Sequence, residues 1–141
     1  MNIPVVTYTQ AMRIAIKYSM DDIQAAIADV IPLISLQPQQ GLGTAILRLA
    51  FVAEFPSHFS RDVAIQMFTD ASSISHHPTV DHLKPLLPHP AFVVLMMQYR
   101  EGLSNPDTSI WKRQWPSYVP AYAERKWLNQ EFGRLGFPKK N

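Results

Sequence analysis

Apolar residues recur every three or four positions along most of the chain, a spacing that predicts amphipathic helices. Thr7 followed by Gln10 has the form of a capping box ahead of an apolar run, so we expect a first helix over about residues 8–18. Ser19 suits the N-cap of a second helix, and acidic residues follow it where the helix dipole favours them. Pro32 predicts that this helix ends near residue 31, because proline lacks the N–H of a helix interior.

Proline and glycine residues interrupt the helical pattern in the middle of the chain. Residues 33–43 have the composition of a loop, and a third helix is expected from about Thr44 to just before Pro56. Ser60 predicts the N-cap of a fourth helix. Residues 71–78 are polar and predict a connector.

Two further helices are expected before residue 103. Thr79 would cap a short one over 80–86, and a longer one would cover 91–101 and end at Gly102, a residue that adopts the left-handed C-cap conformation. The longer helix is apolar nearly all round, which predicts a place at the centre of the core. A strand over 92–95 is the competing interpretation, since short apolar runs fit both.

The remaining segment holds tryptophans and prolines and predicts an irregular stretch, then a terminal helix over 120–132 capped by Gly133. Taken together, these elements predict an all-α fold, a compact array of antiparallel helical hairpins. The length of 141 residues fits a single domain over 1–141.

Composition narrows the class of protein. Apolar residues make up 47% of the chain, which is typical of a folded globule, and the absence of cysteine excludes disulfides and thiolate zinc sites. No apolar run approaches the roughly 18 residues of a membrane span, and the N-terminus lacks the pattern of a signal peptide. We therefore expect an intracellular protein, cytoplasmic or nuclear, without membrane contact.

Charge is unevenly distributed along the chain. Residues 1–110 carry a net charge of −3, whereas 111–141 carry +5. Tryptophans alternate with cations in that basic segment, the combination that binds single-stranded nucleic acid, which makes a nucleic-acid-binding module our second hypothesis. We favour the alternative that the tail over 104–141 packs on the acidic body, because its aromatic side chains favour burial.

The candidate chemical residues match no catalytic or metal-binding motif. His76, His77, His82 and His89 lie close in sequence, but their spacing does not fit a helical ligand pair, so exposed loop histidines are the favoured interpretation. The chain has no Gly-x-Ser-x-Gly elbow and no phosphate-binding loop. We expect no enzyme activity, no cofactor, no metal and no small-molecule substrate.

Residues 11–23, Ala-Met-Arg-Ile-Ala-Ile-Lys-Tyr-Ser-Met-Asp-Asp-Ile, resemble the motif Ala-Leu-x-Leu-Ala-x-Lys-Tyr-x-Met-x-x-Leu that closes BTB/POZ domains. The downstream region is similar in overall pattern to the helical C-terminal half of fungal BTB/POZ-domain proteins, chiefly those of mushroom-forming fungi. The resemblance implies that residues 1–31 form the last helical hairpin of such a domain. It also implies a non-catalytic protein-interaction or scaffold module.

Only about ten residues precede this motif, so the sheet and earlier helices of a BTB/POZ domain have no counterpart, and no binding residue of that family transfers. Without them, one face of the hairpin would stay uncovered. An exposed apolar face of that kind predicts a protein partner, self-association or poor solubility. The residues that we expect at such an interface are Met12, Ile16 and Ile23, with Trp111 and Trp115 if they are exposed.

Overall fold

The structure is a computed structural model that describes residues 3–34, 41–74 and 80–139. Within these ranges it is all-α and contains no strand, so the predicted fold class is confirmed and the alternative strand over 92–95 is wrong. The helices within the described ranges are α1 (Val5–Lys17), α2 (Asp21–Val30), α3 (Gly41–Glu54), α4 (Arg61–Ile74), α5 (Val80–Leu83), α6 (Pro90–Ser104), α7 (Ile110–Gln114) and α8 (Pro120–Arg134).

Helices adjacent in sequence pack against one another around a common core. The pairs α1 with α2, α3 with α4, and α7 with α8 are in contact, and α4 also lies against α6 and α8. Fully buried large side chains come from both ends of the described chain and from its middle: Met12, Ile31, Phe51, Phe68, Leu86, Trp127, Phe132 and Phe137. One continuous core therefore joins the N-terminal hairpin to the C-terminal helix.

The start of α1 differs from the predicted one. The helix begins at Val5, and Pro4 precedes it with no side-chain cap. Thr7 therefore lies in the first turn, where its N–H donates to the Pro4 carbonyl at 3.0 Å. The prediction of a capping box at Thr7 and Gln10 is wrong. The Pro4 carbonyl already accepts from the Thr7 N–H, which the Gln10 side chain would accept from in a capping box.

The chain changes direction between α1 and α2 at Ser19. This residue does not cap α2, contrary to the prediction. Ser19 has φ 54 and follows the last turn of α1, and Met20 precedes α2 without a side-chain cap. The Met20 N–H donates to the Ala15 carbonyl at 2.8 Å and the Ser19 N–H to the Ile16 carbonyl at 3.2 Å. This is the bonding of a Schellman motif, so Ser19 ends one helix rather than starting the next.

Two predicted helix boundaries move, and burial accounts for the one at the end of α4. α3 begins at Gly41, three residues before the expected Thr44, and α4 continues to Ile74, into the expected connector. Ala71 and Ser72 are buried, and the Ser72 hydroxyl donates to the Phe68 carbonyl at 2.9 Å, which makes this last turn part of the core.

The prediction for α4's start is confirmed, because the Ser60 hydroxyl accepts from the Val63 N–H at 3.3 Å. The predicted cap Thr79 lies outside the described residues. The short helix predicted over 80–86 is present as α5 with a 3-10 turn, Lys84–Leu86.

Helix α6 passes through Gly102 and ends at Ser104, so Gly102 is not a C-cap. The indole of Trp111 packs on it, and a Cβ atom at this position would overlap the ring. Nor is α6 enclosed by the core as predicted. Its apolar side chains Val94 and Met97 are 53% and 64% exposed.

The end of α8 is set by Gly136 rather than by the predicted Gly133. Gly136 has φ +96, its N–H donates to the Gly133 carbonyl at 3.2 Å, and the Phe137 N–H donates to the Phe132 carbonyl at 3.1 Å. The rings of Phe132 and Phe137 lie 5.4 Å apart, the apolar contact that accompanies a Schellman motif. Gly133 instead allows close approach of Arg61, whose Nη2 lies 3.1 Å from where a Cβ would be.

Candidate interaction surfaces

The N-terminal hairpin carries much of the exposed apolar surface. Seven of the fifteen large apolar side chains that are exposed in the described residues lie on α1, on α2 or beside them. Four of these lie around the corner and are called the hairpin surface here: Ile16, Tyr18, Met20 and Ile23. A concentration of this kind is typical of a docking site.

The hairpin surface includes two of the three hairpin residues that the sequence singled out. Ile16 and Ile23 are 41% and 43% exposed, but Met12 is fully buried. Met12 lies seven residues after Val5 and three before Ala15, both also buried, so these three share the side of α1 that faces the core. The prediction of Met12 as an interface residue is therefore wrong.

Charges of both signs flank the hairpin surface. Lys17 lies before the corner, and Asp21 and Asp22 lie directly after it, all three exposed. The ion pairs found in the described ranges join Arg13 to Glu54 and Arg134 to Glu131, and none involves these three side chains. One end of the surface thus carries complementary charges that remain open to a partner.

An ion pair joins the hairpin to the body between α1 and α3. Arg13 Nε donates to Glu54 Oε2 at 2.7 Å, and a second bond joins Nη2 to Oε1. The hydrogen bonds from Arg13, more than its charge alone, hold the pKa of the Glu54 carboxyl below its usual range. Because the Arg13 side chain is largely exposed, this pair adds only modestly to the contact between α1 and α3, which buried side chains also hold together.

Trp111, predicted as an interface residue, belongs to the core. Its ring centroid lies 5.9 Å from that of Tyr99 and 5.3 Å from that of Trp127, and the whole side chain is buried against Gly102. The condition of exposure is not met for Trp111, because the glycine on α6 opens a recess that accepts its indole. Trp115 is only half-buried and faces a groove at the surface.

That groove, called the basic groove here, lies between the start of α4, helix α8 and the C-terminal segment. Its cationic and aromatic lining residues are Arg61, Arg125, Lys126, Lys139, Trp115 and Tyr122. No Asp or Glu is among the described residues that line it. Lys126 Nζ lies 5.6 Å from the centroid of Tyr118 and 5.8 Å from that of Tyr122, within cation–π range.

Arg61 links the two ends of this groove. Its Nε and Nη2 donate to the Phe137 carbonyl at 3.2 and 3.1 Å, and its backbone N–H donates to the Pro138 carbonyl at 2.8 Å. These bonds place the C-terminal segment, with Lys139, against the start of α4. No sequence pattern points to Arg61, because the Phe137 carbonyl that its side chain binds lies 76 residues further along the chain.

The histidines do not converge in the described part of the chain, where no group of three or more His, Asp or Glu could hold a metal ion. His76 and His77 lie outside the described residues. His58 Nε2 lies 2.9 Å from Gln24 Oε1, which joins the connection before α4 to α2. None of the helices in the described ranges is both long and apolar enough to cross a bilayer.

Comparison with protein-family models, with curated proteins and with solved structures finds no match.

Proposed function

We propose that the chain is a non-catalytic protein–protein interaction module that docks through the hairpin surface. The observation that carries the proposal is the exposure of Ile16 and Ile23 beside the corner of a hairpin that Met12 anchors in the core. Burying such apolar area stabilises a complex by about 25 cal/mol per Å² before the costs of association. The motif that resembles BTB/POZ domains falls on this hairpin, so membership in that group is part of the proposal.

The occupant that we propose is a second copy of the same chain. A two-fold contact brings a surface against itself, so it must be complementary to itself. The hairpin surface combines apolar side chains with neighbouring charges of both signs, so Lys17 of one copy can face Asp21 or Asp22 of the other across the axis. A contact of this kind pairs charges that form no ion pair within the described chain.

Light scattering over a range of protein concentrations tests the proposal. The mass of the wild-type chain should rise toward that of a dimer, and Ile16→Ser/Ile23→Ser should remain monomeric. Val94→Ser/Met97→Ser is the matched control, because it makes the same kind of change at two exposed positions on α6. A wild-type chain that stays monomeric, or a control that loses association just as fully, contradicts the proposal.

Charge reversal gives a second test of the two-fold arrangement. Lys17→Asp should weaken the dimer about threefold to tenfold, because it places like charges opposite each other. The exchange Lys17→Asp/Asp21→Lys should restore the association. Failure of the exchange to restore it would exclude this pairing.

A further inference from the structure

We infer that the basic groove is a binding site for single-stranded nucleic acid, with phosphates on its cations and bases on its aromatic rings. This goes beyond the proposed function and uses a different surface, formed by α4, α8 and the C-terminal segment. Two of the tail tryptophans, Trp111 and Trp127, are in the core and do not take part. The site therefore depends on residues that only folding brings together.

The charge of the groove is not neutralised by nearby carboxylates. Arg61, Arg125, Lys126 and Lys139 all line it. The two acids of α8 are engaged elsewhere: Glu124 accepts from the Tyr99 hydroxyl at 2.6 Å, and Glu131 pairs with Arg134 at 3.3 Å. Four uncompensated cations along one groove attract a chain of phosphates.

The aromatic rings distinguish a nucleic acid from other anions. Tyr122, Arg125, Lys126 and Asn129 follow the spacing of one helical face, so one ring and two cations lie together along the outer side of α8. Tyr118 and Tyr122 are 41% and 52% exposed and lie edge to face, 5.2 Å apart. Exposed rings beside cations stack bases of any sequence, whereas an acidic peptide would engage only the charges.

Fluorescence anisotropy of a labelled oligouridine of about 20 nucleotides, titrated with the full chain, tests the inference. Four phosphate contacts predict a log–log salt slope of about −3 for a single strand. Affinity should therefore fall about 50-fold between roughly 50 and 200 mM salt. A duplex of the same length should bind more weakly, because its bases cannot stack on the tyrosines.

Matched variants show whether the basic groove itself binds the oligonucleotide. Arg125→Gln/Lys126→Gln should make the slope shallower by about 1.4. Lys112→Gln/Arg113→Gln removes the same charge from exposed positions on α7 outside the groove and should change binding little. Tyr122→Ala should weaken binding about tenfold with an unchanged slope, because it removes stacking but no charge.

Several results would overturn the inference. Equal losses from the two charge pairs would indicate general attraction to a basic tail. Duplex binding as tight as single-strand binding, or displacement by polyglutamate with no effect of Tyr122→Ala, would identify a site for anions in general. The variant Ile16→Ser/Ile23→Ser should bind the oligonucleotide like wild type, so failure of this inference is separable from failure of the proposed function.

Discussion

Gly102 and Gly43 show how one residue type serves different purposes within helices. Both lie inside helical segments, α6 and α3 respectively. At Gly102 the missing side chain makes room for the Trp111 indole, whereas nothing lies within 4 Å of a Cβ placed at Gly43. The first glycine is therefore required by packing, and the second carries only the entropic cost of glycine in a helix.

Gly102→Ala should destabilise the protein by about 2–3 kcal/mol, because the added methyl group displaces a buried indole from its recess. Gly43→Ala is the matched control and should stabilise by about 0.5–1 kcal/mol through helix propensity. Urea unfolding followed by circular dichroism measures both. Equal effects of the two substitutions would mean that the recess on α6 does not hold Trp111.

Ser19 adopts a left-handed conformation, which costs a residue with a Cβ about 1 kcal/mol. Ser19→Gly should therefore raise the free energy of unfolding by about 0.5–1 kcal/mol, since glycine adopts this conformation freely. Ser73→Gly, at an exposed position in the last turn of α4, should lower it by a similar amount. Chemical denaturation of both variants checks the opposite signs, and a loss of stability in Ser19→Gly would contradict the motif at the corner.

At the scale of elements, neighbouring helices decide where each helix ends. The recess for Trp111 keeps α6 helical through Gly102, and the buried Ala71 and Ser72 extend α4 beyond its polar appearance in the sequence. Helix α8 ends at Gly136, where Phe137 turns back to contact Phe132. Local sequence provides candidates for helix ends, and packing selects among them.

A hydrogen bond joins α6 to α8 and predicts a dependence on pH. The Tyr99 hydroxyl donates to Glu124 Oε1 at 2.6 Å, and burial, followed by this bond, raises the pKa of Tyr99 well above its usual value. The contribution to stability is complete below about pH 10, where the unfolded tyrosine titrates, and is lost as the pH rises further. We expect the free energy of unfolding to fall by up to about 1.4 kcal/mol per pH unit there.

Tyr99→Phe should remove this part of the fall in the free energy of unfolding at alkaline pH. Near neutral pH it should lower that free energy by about 1 kcal/mol. Denaturation curves collected from about pH 8 to pH 11.5 give the comparison. Tyr18→Phe, at an exposed position, should follow the wild-type curve. A wild-type slope retained in Tyr99→Phe would refute the assignment.

At the scale of the whole molecule, the core runs from α1 to the segment after α8. The ring centroid of Phe137 lies 6.0 Å from that of Phe92, and the Phe137 side chain is fully buried. The segment after α8 therefore covers α6 as well as α8. Helices at both ends of the sequence thereby share one apolar interior. A shared interior favours cooperative unfolding.

We expect a single unfolding transition for the chain. All three tryptophans lie on or beside α7 and α8, so their fluorescence reports the C-terminal part, whereas circular dichroism reports every helix. The two urea curves should coincide, with an equal midpoint and slope. Earlier loss of helical signal than of tryptophan fluorescence would show that helices without tryptophan unfold before the C-terminal part.

The sequence by itself determined the all-α class, the approximate positions of the helices and the cap at Ser60, because these depend on local spacing and local hydrogen bonds. It also identified Ile16 and Ile23 as candidates, since apolar excess on a short hairpin is visible in the residues. Only the tertiary structure decided that Met12 and Trp111 are core residues and that Arg61 belongs to the basic groove. Those outcomes depend on contacts between distant segments, which no local pattern encodes.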